Sequence, residues 1–393
     1  MHRRDFLVGA GGIWLAGGSW LYPTSSAVWA ANGPTGTLGS KTPFPGARFV
    51  GNLRFGDEGD WPLNTPVGEG VNGRVFTDLS KITPDHLSVS APEFYVRSRA
   101  SEWIPGPAHW TIHGTGLVKK PVAISMSRIL AASKPIGEHL LECSGNQGGG
   151  YSLISSTSWK GVPLQEVLSW IGPDKKATQV VVEGWGRYSA DRPVSWVFPK
   201  TLNGYLATHM GGKPLLRDHG APVRLFIPNW YGCCNIKWVK EIRLVGSDEA
   251  PTEQMQEYAG RTQQPNPPPF KASDWHPGHM NATAMPIRVE QWQSSKEKSY
   301  RIVGLLWGGP HPAPKLEIRI DRSTDMRHQG TDGKWVPVDV YTPPSPTHQT
   351  WTLWYHDLKP WGPGRYDITL RTPGIPSFRL DNFLYRRFVA IRG

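Results

Sequence analysis

The chain has 393 residues, of which 38% are hydrophobic and 19% charged, and it contains 44 glycines and 37 prolines. This composition is typical of a loop-rich globular protein rather than a disordered chain or a helical bundle, and the length favours two or three folding units. The net charge of +11 comes from scattered Lys and Arg. That distribution gives little support to nucleic-acid binding and is compatible with anionic substrates or an acidic partner protein.

The first thirty residues are predicted to be an export signal. Arg3 and Arg4 precede an uncharged, Gly-rich run at 6–22, and the sequence Val-Trp-Ala at 28–30 is suitable for cleavage. Adjacent arginines followed by Phe-Leu indicate the twin-arginine route, which carries folded proteins. A membrane anchor is the alternative, although the run is weakly hydrophobic. We expect a periplasmic protein without a membrane span after processing.

Three further regions follow. Residues 31–90 are rich in Gly, Pro, Asn and Thr and predict an irregular arm that wraps the following domain. Residues 91–250 mix short β-rich runs with a helix at 163–170, whose apolar residues recur at helical spacing, so an α+β domain is predicted. Prolines at 265–269 favour an extended linker, placed at 251–284.

The last region, 285–393, predicts a β-sandwich. Leu316, Ile318 and Ile320 alternate with charged residues, and similar short runs recur near 287, 300, 335, 350, 365 and 379. About seven strands separated by turn residues are typical of two packed antiparallel sheets.

The chain has three cysteines, Cys143, Cys233 and Cys234. An odd number in an exported protein leaves at least one thiol unpaired. Cys233 and Cys234 could form a strained vicinal disulfide or remain two buried thiols, and the sequence leaves both open.

Cys143 begins the most informative segment, Cys-Ser-Gly-Asn-Gln-Gly-Gly-Gly, whose glycines allow a close approach of the backbone to a ligand. Tyr151 follows where a phosphate-binding Walker loop needs Lys, and Ser144 lacks the preceding Gly of a nucleophile elbow. The residues alone leave open whether Cys143 is a structural thiol or a metal ligand.

Several segments together resemble the sulfite oxidase family. Cys-Ser-Gly-Asn at 143–146 resembles the segment with the molybdenum-ligating cysteine, and Phe-Tyr-Val-Arg at 94–97 resembles the family's entry to the active site. Trp-Lys-Gly-Val-Pro-Leu at 159–164 and the stretch at 213–224 also agree, in the same order, as does Ile-Lys-Trp at 236–238. The resemblance is strong over about 90–245. It implies a sulfite-oxidase-type molybdopterin-binding domain followed by an immunoglobulin-like dimerisation domain.

The resemblance also implies a molybdenum–molybdopterin cofactor with Cys143 as its one protein ligand. A thiolate suits this role because it is a soft, electron-donating ligand. The residues that the resemblance implies around the cofactor are Ser144, His219, Arg224 and Lys237. Ser98 and Arg99 stand where many relatives have Asn and His, so Arg99 is predicted to replace one of their cofactor contacts. Arg97 would hold a substrate oxyanion beside the metal.

Two departures from the family bear on the substrate. An ungapped count from Lys237 reaches Ala250 where sulfite oxidisers have a tyrosine, and Tyr258 lies farther along the chain. His311 stands in the segment where an arginine is expected, so His311 is predicted as its catalytic substitute. These departures predict poor oxidation of free sulfite. His276 and His279 flank a Pro-Gly turn, which favours a loop over a second metal site.

The functional hypothesis is a molybdenum oxidoreductase that transfers an oxygen atom to or from a small sulfur compound or oxyanion. Without a Cys-x-x-Cys-His motif, the chain is expected to pass electrons to a separate carrier such as a c-type cytochrome, and to form a homodimer. The alternatives are a reductase of S-oxides and a non-enzymatic periplasmic binding protein.

Overall fold

The computed structural model describes residues 43–146, 151–186, 192–259, 262, 278–309, 311–313, 315–341, 349–375 and 385–392. The predicted export signal, the glycines at 148–150 and His276 lie outside the described residues. Among the described helices, none combines the length and apolarity that a membrane crossing requires.

The described part of the chain is mostly strand. The strands are β1 (Arg48–Leu53), β2 (Arg74–Val75), β3 (Val96–Arg97), β4 (Thr111–Gly116), β5 (Val122–Ser125), β6 (Lys134–Glu142), β7 (Ile154–Pro163), β8 (Gln179–Gly184), β9 (Val194–Pro199), β10 (Tyr205–Met210), β11 (Lys213–Pro214), β12 (Arg224–Phe226), β13 (Val239–Val245), β14 (Thr283–Gln293), β15 (Lys298–Trp307), β16 (Glu317–Ser323), β17 (Val336–Pro337), β18 (Asp339–Tyr341), β19 (Thr352–Leu358), β20 (Gly364–Arg371) and β21 (Arg387–Ile391). The α-helices are α1 (Met126–Ala132), α2 (Leu164–Ile171) and α3 (Glu253–Tyr258), and single 3₁₀ turns lie at Gly70–Asn72, Leu79–Lys81, Arg217–His219 and Gly232–Cys234.

Two sheets build the middle of the chain. One has the order β11-β10-β7-β6 with β12 also paired to β10, and the other has the order β5-β4-β13-β8-β9. The predicted helix is α2, whose Leu164, Val167, Leu168 and Ile171 are buried in the core that the two sheets share. Their burial at i, i+3, i+4 and i+7 confirms the helical spacing, and each contributes about 1.5 to 3 kcal/mol of hydrophobic stabilisation.

The last part of the chain folds into two sheets that enclose a second core. Their orders are β1-β14-β15-β19-β18 and β17-β16-β20-β21. Ile302 and Trp354 from the first sheet meet Ile318 and Ile368 from the second in one buried cluster. The alternation predicted for Leu316, Ile318 and Ile320 places all three in this cluster, so the two-sheet arrangement is confirmed. The run near 379 lies outside the described residues.

The N-terminal arm differs from its prediction. Its strand β1 pairs with β14, where Arg48 lies opposite Gln293, and Phe55 forms a bridge with Val389. The beginning of the arm therefore completes the C-terminal sandwich instead of wrapping the middle region. Only its later part follows the prediction, because the N–H of Val89 donates to the carbonyl of Ser156 at 2.9 Å.

The predicted linker also begins differently. Residues 253–258 form helix α3, which is capped by the Thr252 side chain accepting from the N–H of Met255. Met255 and Tyr258 are buried, and α3 packs near β9. The start of this segment thus belongs to the folded core, not to an extended connector.

Candidate active site

A cleft in the middle region brings together five of the eight residues predicted for the site. It holds about 670 Å³ of empty space, its open mouth included. The predicted residues on its walls are Arg97, Cys143, His219, Arg224 and Lys237. They come from β3, the end of β6, the turn at 217–219, β12 and the segment before β13.

Cys143 follows the last residue of β6 and is 4% exposed. Its Sγ accepts a hydrogen bond from the N–H of Gly145 at 3.3 Å, and its carbonyl accepts from the N–H of Asn146 at 2.8 Å, so the thiol sits inside a tight turn. Burial raises the pKa of Cys143, and the Gly145 N–H partly opposes that rise. The thiol is therefore protonated at neutral pH unless a metal ion holds the thiolate.

Two cations point to the cleft beside Cys143. The guanidinium of Arg97 donates to the carbonyl of Val71 at 2.8 Å. Lys237 donates to the carbonyls of Ser98 at 2.5 Å and Asp218 at 2.8 Å. The left-handed backbone of Ser98, with φ of 74°, turns its carbonyl toward that lysine. Because these carbonyls are neutral, the hydrogen bonds hold both cations at the cleft wall without cancelling their charge.

The stretch at 213–224 positions His219. The turn at Arg217–His219 ends at Gly220, whose φ of 101° strongly favours glycine. His219 Nε2 lies 2.8 Å from the carbonyl of Ala91, which only accepts, so Nε2 carries the proton. Burial, with a smaller effect from Lys237, lowers the pKa of His219 to about 3. The imidazole is neutral, and Nδ1 is an acceptor suited to a ligand N–H.

Arg224 is the most deeply buried cation of the cleft, with 4% exposure. Its Nη1 donates to the carbonyl of His219 at 3.1 Å and its Nη2 to that of Asn235 at 3.3 Å. Nε is buried and has no partner among the described residues. Burial lowers the pKa of Arg224 to about 10, so the group stays charged at neutral pH. A buried guanidinium with an unused donor fits an anionic ligand.

The structure places the other three predicted residues outside the lining of this cleft. Arg99 forms an ion pair with Asp218, with Nε 2.8 Å from Oδ2, and lines a separate surface groove. Ser144 is fully buried behind Cys143. His311 is exposed. A direct cofactor contact for Arg99 and a substrate contact for His311 are thus not supported by this geometry.

Sequence reasoning missed several lining residues. Tyr258 and Gln254, both on α3, line the cleft together with Cys143. The ungapped count reaches Ala250, which is exposed, whereas α3 places Tyr258 in the cleft lining. The capping Thr252 followed by Met255 and Tyr258 at helical spacing was the available signal.

Tyr95 and Cys233 complete the wall around Cys143. Between them lies Gly232, where an added Cβ would stand 2.6 Å from the Tyr95 hydroxyl and 3.7 Å from the Cα of Cys143. Only glycine fits there. No disulfide joins Cys233 and Cys234, whose sulfur atoms are 3.9 Å apart, so the alternative of two buried thiols is the one observed.

Comparisons with known proteins agree with this site. Residues 101–253 match the family model described as the oxidoreductase molybdopterin binding domain. The match identifies residues 101–253 as a molybdopterin-binding domain of the sulfite oxidase type. The matched residues include the Cys143 turn, the 213–224 stretch and Lys237.

The relatives of this molybdopterin domain include long enzymes. The chain is 31% identical over 190 residues to a nitrate reductase [NADH] of Hordeum vulgare, covering 42% of this chain and 21% of that protein. It is 26% identical over 284 residues to a nitrate reductase [NADPH] of Aspergillus niger, covering 62% of this chain and 32% of that protein. The chain thus spans about a fifth to a third of the length of these relatives.

A solved structure shares the fold. The sulfane dehydrogenase SoxCD from Paracoccus pantotrophus superposes with a TM-score of 0.60 at 17% sequence identity, covering 84% of this chain and 80% of that chain. At this identity the similarity establishes the fold of the molybdopterin-binding oxidoreductase.

Proposed function

We propose that this chain is a mononuclear molybdenum oxidoreductase that transfers an oxygen atom to or from a small sulfur-containing substrate. The observation that supports it most is the cleft in which the buried Cys143 lies beside Arg97, Arg224 and Lys237. One soft ligand and several fixed cations suit a metal cofactor that bears an anionic group.

The residues present fit the molybdopterin cofactor. The unused Nε of Arg224 and the charge of Lys237 suit its phosphate, and the acceptor Nδ1 of His219 suits the N–H groups of a pterin. Cys143 would bind the metal as a thiolate. When bound, the cofactor supplies a two-electron redox change and exchanges an oxygen atom with the substrate.

Arg97 and Tyr258 are proposed to hold the substrate. Both line the cleft with Cys143, and a guanidinium together with a phenol can donate to two oxygens of one small oxyanion. Gln254 Oε1 is buried without a partner among the described residues and would accept from a protonated substrate or a water. These donors orient the substrate while the buried walls restrict the access of bulk water.

Sulfur chemistry and reduction of an oxyanion are the two candidate activities. The solved structure named as a sulfane dehydrogenase favours the first, and the relatives named as nitrate reductases favour the second. Because the site holds Tyr258, the expectation of poor sulfite oxidation now rests only on the arginine missing near His311. A steady-state screen of sulfite, thiosulfate-type compounds, S-oxides and nitrate, run in both directions, tests the assignment.

The metal content separates an enzyme from a binding protein. Protein purified after its native export should contain about one molybdenum and one pterin per chain. Absence of molybdenum from correctly exported, folded protein would refute the proposed function and favour the non-enzymatic alternative.

We propose further that residues 285–393 form an immunoglobulin-like domain that mediates a homodimer and that electrons leave to a separate c-type cytochrome. The two-sheet sandwich and its resemblance to the family's dimerisation domain support the first part. Light scattering of the intact chain tests it, and a monomer at all accessible concentrations would contradict it. Electron transfer to added cytochrome during turnover tests the second part.

Periplasmic location is proposed from the sequence alone. Replacing Arg3 and Arg4 with Lys should leave unprocessed precursor in the cytoplasm, because a folded, cofactor-loaded chain needs the twin-arginine route. Normal periplasmic accumulation of this variant would contradict the proposed signal.

A further inference from the structure

A buried carboxylate lies directly beside the proposed metal ligand. Glu142 is the last residue of β6, precedes Cys143 and is 0% exposed. Burying a carboxylate is costly unless hydrogen bonds replace its hydration. Three donors do so: the Tyr385 hydroxyl lies 2.5 Å and Asn146 Nδ2 lies 3.4 Å from Oε1, and Trp307 Nε1 lies 2.9 Å from Oε2.

The same hydrogen bonds fix the turn that carries Cys143. Asn146 closes this turn by donating its N–H to the Cys143 carbonyl at 2.8 Å. The amide oxygen of Asn146 accepts from the N–H of Leu153 at 3.0 Å, and its carbonyl lies 3.0 Å from the Tyr385 hydroxyl. The residue before Cys143 and the residue that ends the turn are thus tied to one phenol.

Two of these donors belong to the C-terminal region. Trp307 ends β15, and Tyr385 lies shortly before β21, with their ring centroids 5.6 Å apart. Both are buried. The C-terminal sandwich therefore supports the active-site wall from behind, through Glu142, while the cleft lining found among the described residues comes from the middle region.

We infer that Glu142 is a positioning residue that, clamped by Tyr385 and Trp307, fixes the turn that presents the Cys143 thiol to the metal. This inference rests on the proposed function. A buried donor or acceptor that loses its partner destabilises the groups around it, so the loss of one of these hydrogen bonds would loosen the turn. Residues that hold a metal ligand from behind tune the properties of the metal.

The test uses the intact, molybdenum-loaded protein with Glu142→Gln, Tyr385→Phe and the control Tyr366→Phe. Tyr366 is a fully buried tyrosine of the same sandwich whose hydroxyl donates to the carbonyl of Gly362 at 2.6 Å, away from the Cys143 turn. The readouts are the molybdenum midpoint potential, the electron paramagnetic resonance spectrum of Mo(V), metal retention on dialysis and the thermal unfolding midpoint.

Glu142→Gln sets an amide N–H₂ against one of these donors in place of a carboxylate oxygen, so it should change the midpoint potential or the Mo(V) spectrum. Tyr385→Phe should alter the Mo(V) spectrum or speed metal loss, while Tyr366→Phe lowers only the unfolding midpoint. If Glu142→Gln does not fold, the Tyr385→Phe result decides the inference. Potential and spectrum that match the parent in every folded variant would overturn it. A parent protein that holds no molybdenum would instead refute the proposed function, and the inference with it.

Discussion

Replacing Arg224 with Gln separates a ligand-binding role from a structural one. Burial lowers the pKa of this guanidinium from 12.5 to about 10, which corresponds to a cost of about 3 kcal/mol for holding the charge inside the cofactor-free protein. Gln removes that charge, and its amide still donates to one of the two carbonyls, His219 or Asn235, that Arg224 now contacts. The carbonyl left without a donor costs about 1 to 3 kcal/mol.

The two effects nearly cancel, so the cofactor-free variant should be as stable as its parent, within about 2 kcal/mol. In the loaded protein the variant also loses a charged hydrogen bond to the cofactor, about 1.5 to 3 kcal/mol, or roughly ten- to a hundredfold in cofactor retention. Urea unfolding of both forms measures this difference. Arg387→Gln is the matched control, because Arg387 is an equally buried arginine paired with Asp57 and should destabilise both forms alike. Equal destabilisation of both forms by Arg224→Gln would refute a ligand-binding role.

Three further predictions concern single residues. Cys143→Ser should leave the chain folded but without activity and with altered or lost molybdenum. The control Cys234→Ser, at a buried thiol outside the cleft lining, should retain activity and molybdenum. An active Cys143→Ser variant would contradict the metal site. Tyr258→Phe should raise KM for an oxyanion substrate roughly ten- to a hundredfold if its hydroxyl binds the anion, and unchanged steady-state constants would exclude that contact. His219 has a folded pKa of about 3 against 6.5 when unfolded, so its contribution to stability is complete above pH 6.5 and is lost as the pH falls from 6.5 toward 3. The free energy of unfolding measured in urea should fall by about 1.4 kcal/mol per pH unit through this group as the pH is lowered. His219→Gln should remove that part of the pH dependence, and an unchanged pH dependence would mean that His219 titrates normally.

The parts of the site that local sequence could predict were those fixed by local geometry. Cys143 lies in a four-residue turn, and His219 is followed at once by the left-handed Gly220, so short motifs were sufficient. The spacing of α2 likewise identifies its buried face without further information. Contacts between distant parts of the chain were less predictable. Arg99 forms an ion pair with Asp218, and His311 lies on the surface.

The errors share a physical origin. A count along the chain measures sequence separation, not position in space. Between Lys237 and Tyr258 the chain forms a strand and a helix, which place the tyrosine in the cleft. The contact of Glu142 with Tyr385 could not be predicted for the same reason, because a hydrogen bond between residues far apart in sequence leaves no local sequence pattern. The pairing of β1 with β14 was hidden in the same way, since the arm's composition predicts irregularity but not a partner.

The pairing of β1 with β14 has a consequence for how the protein is made. Of the described strands, β1 is the first to leave the ribosome, yet its partner β14 follows after most of the middle region, and the Phe55 bridge needs Val389, which follows later still. Such distant pairings delay folding, and an unpartnered strand edge can associate with other chains. Pairing of β1 thus waits until the middle region has been synthesised, which would give a chaperone or a cofactor-inserting protein time to act on an open molecule. A nascent chain truncated before Thr283 should remain protease-sensitive throughout the 48–53 segment.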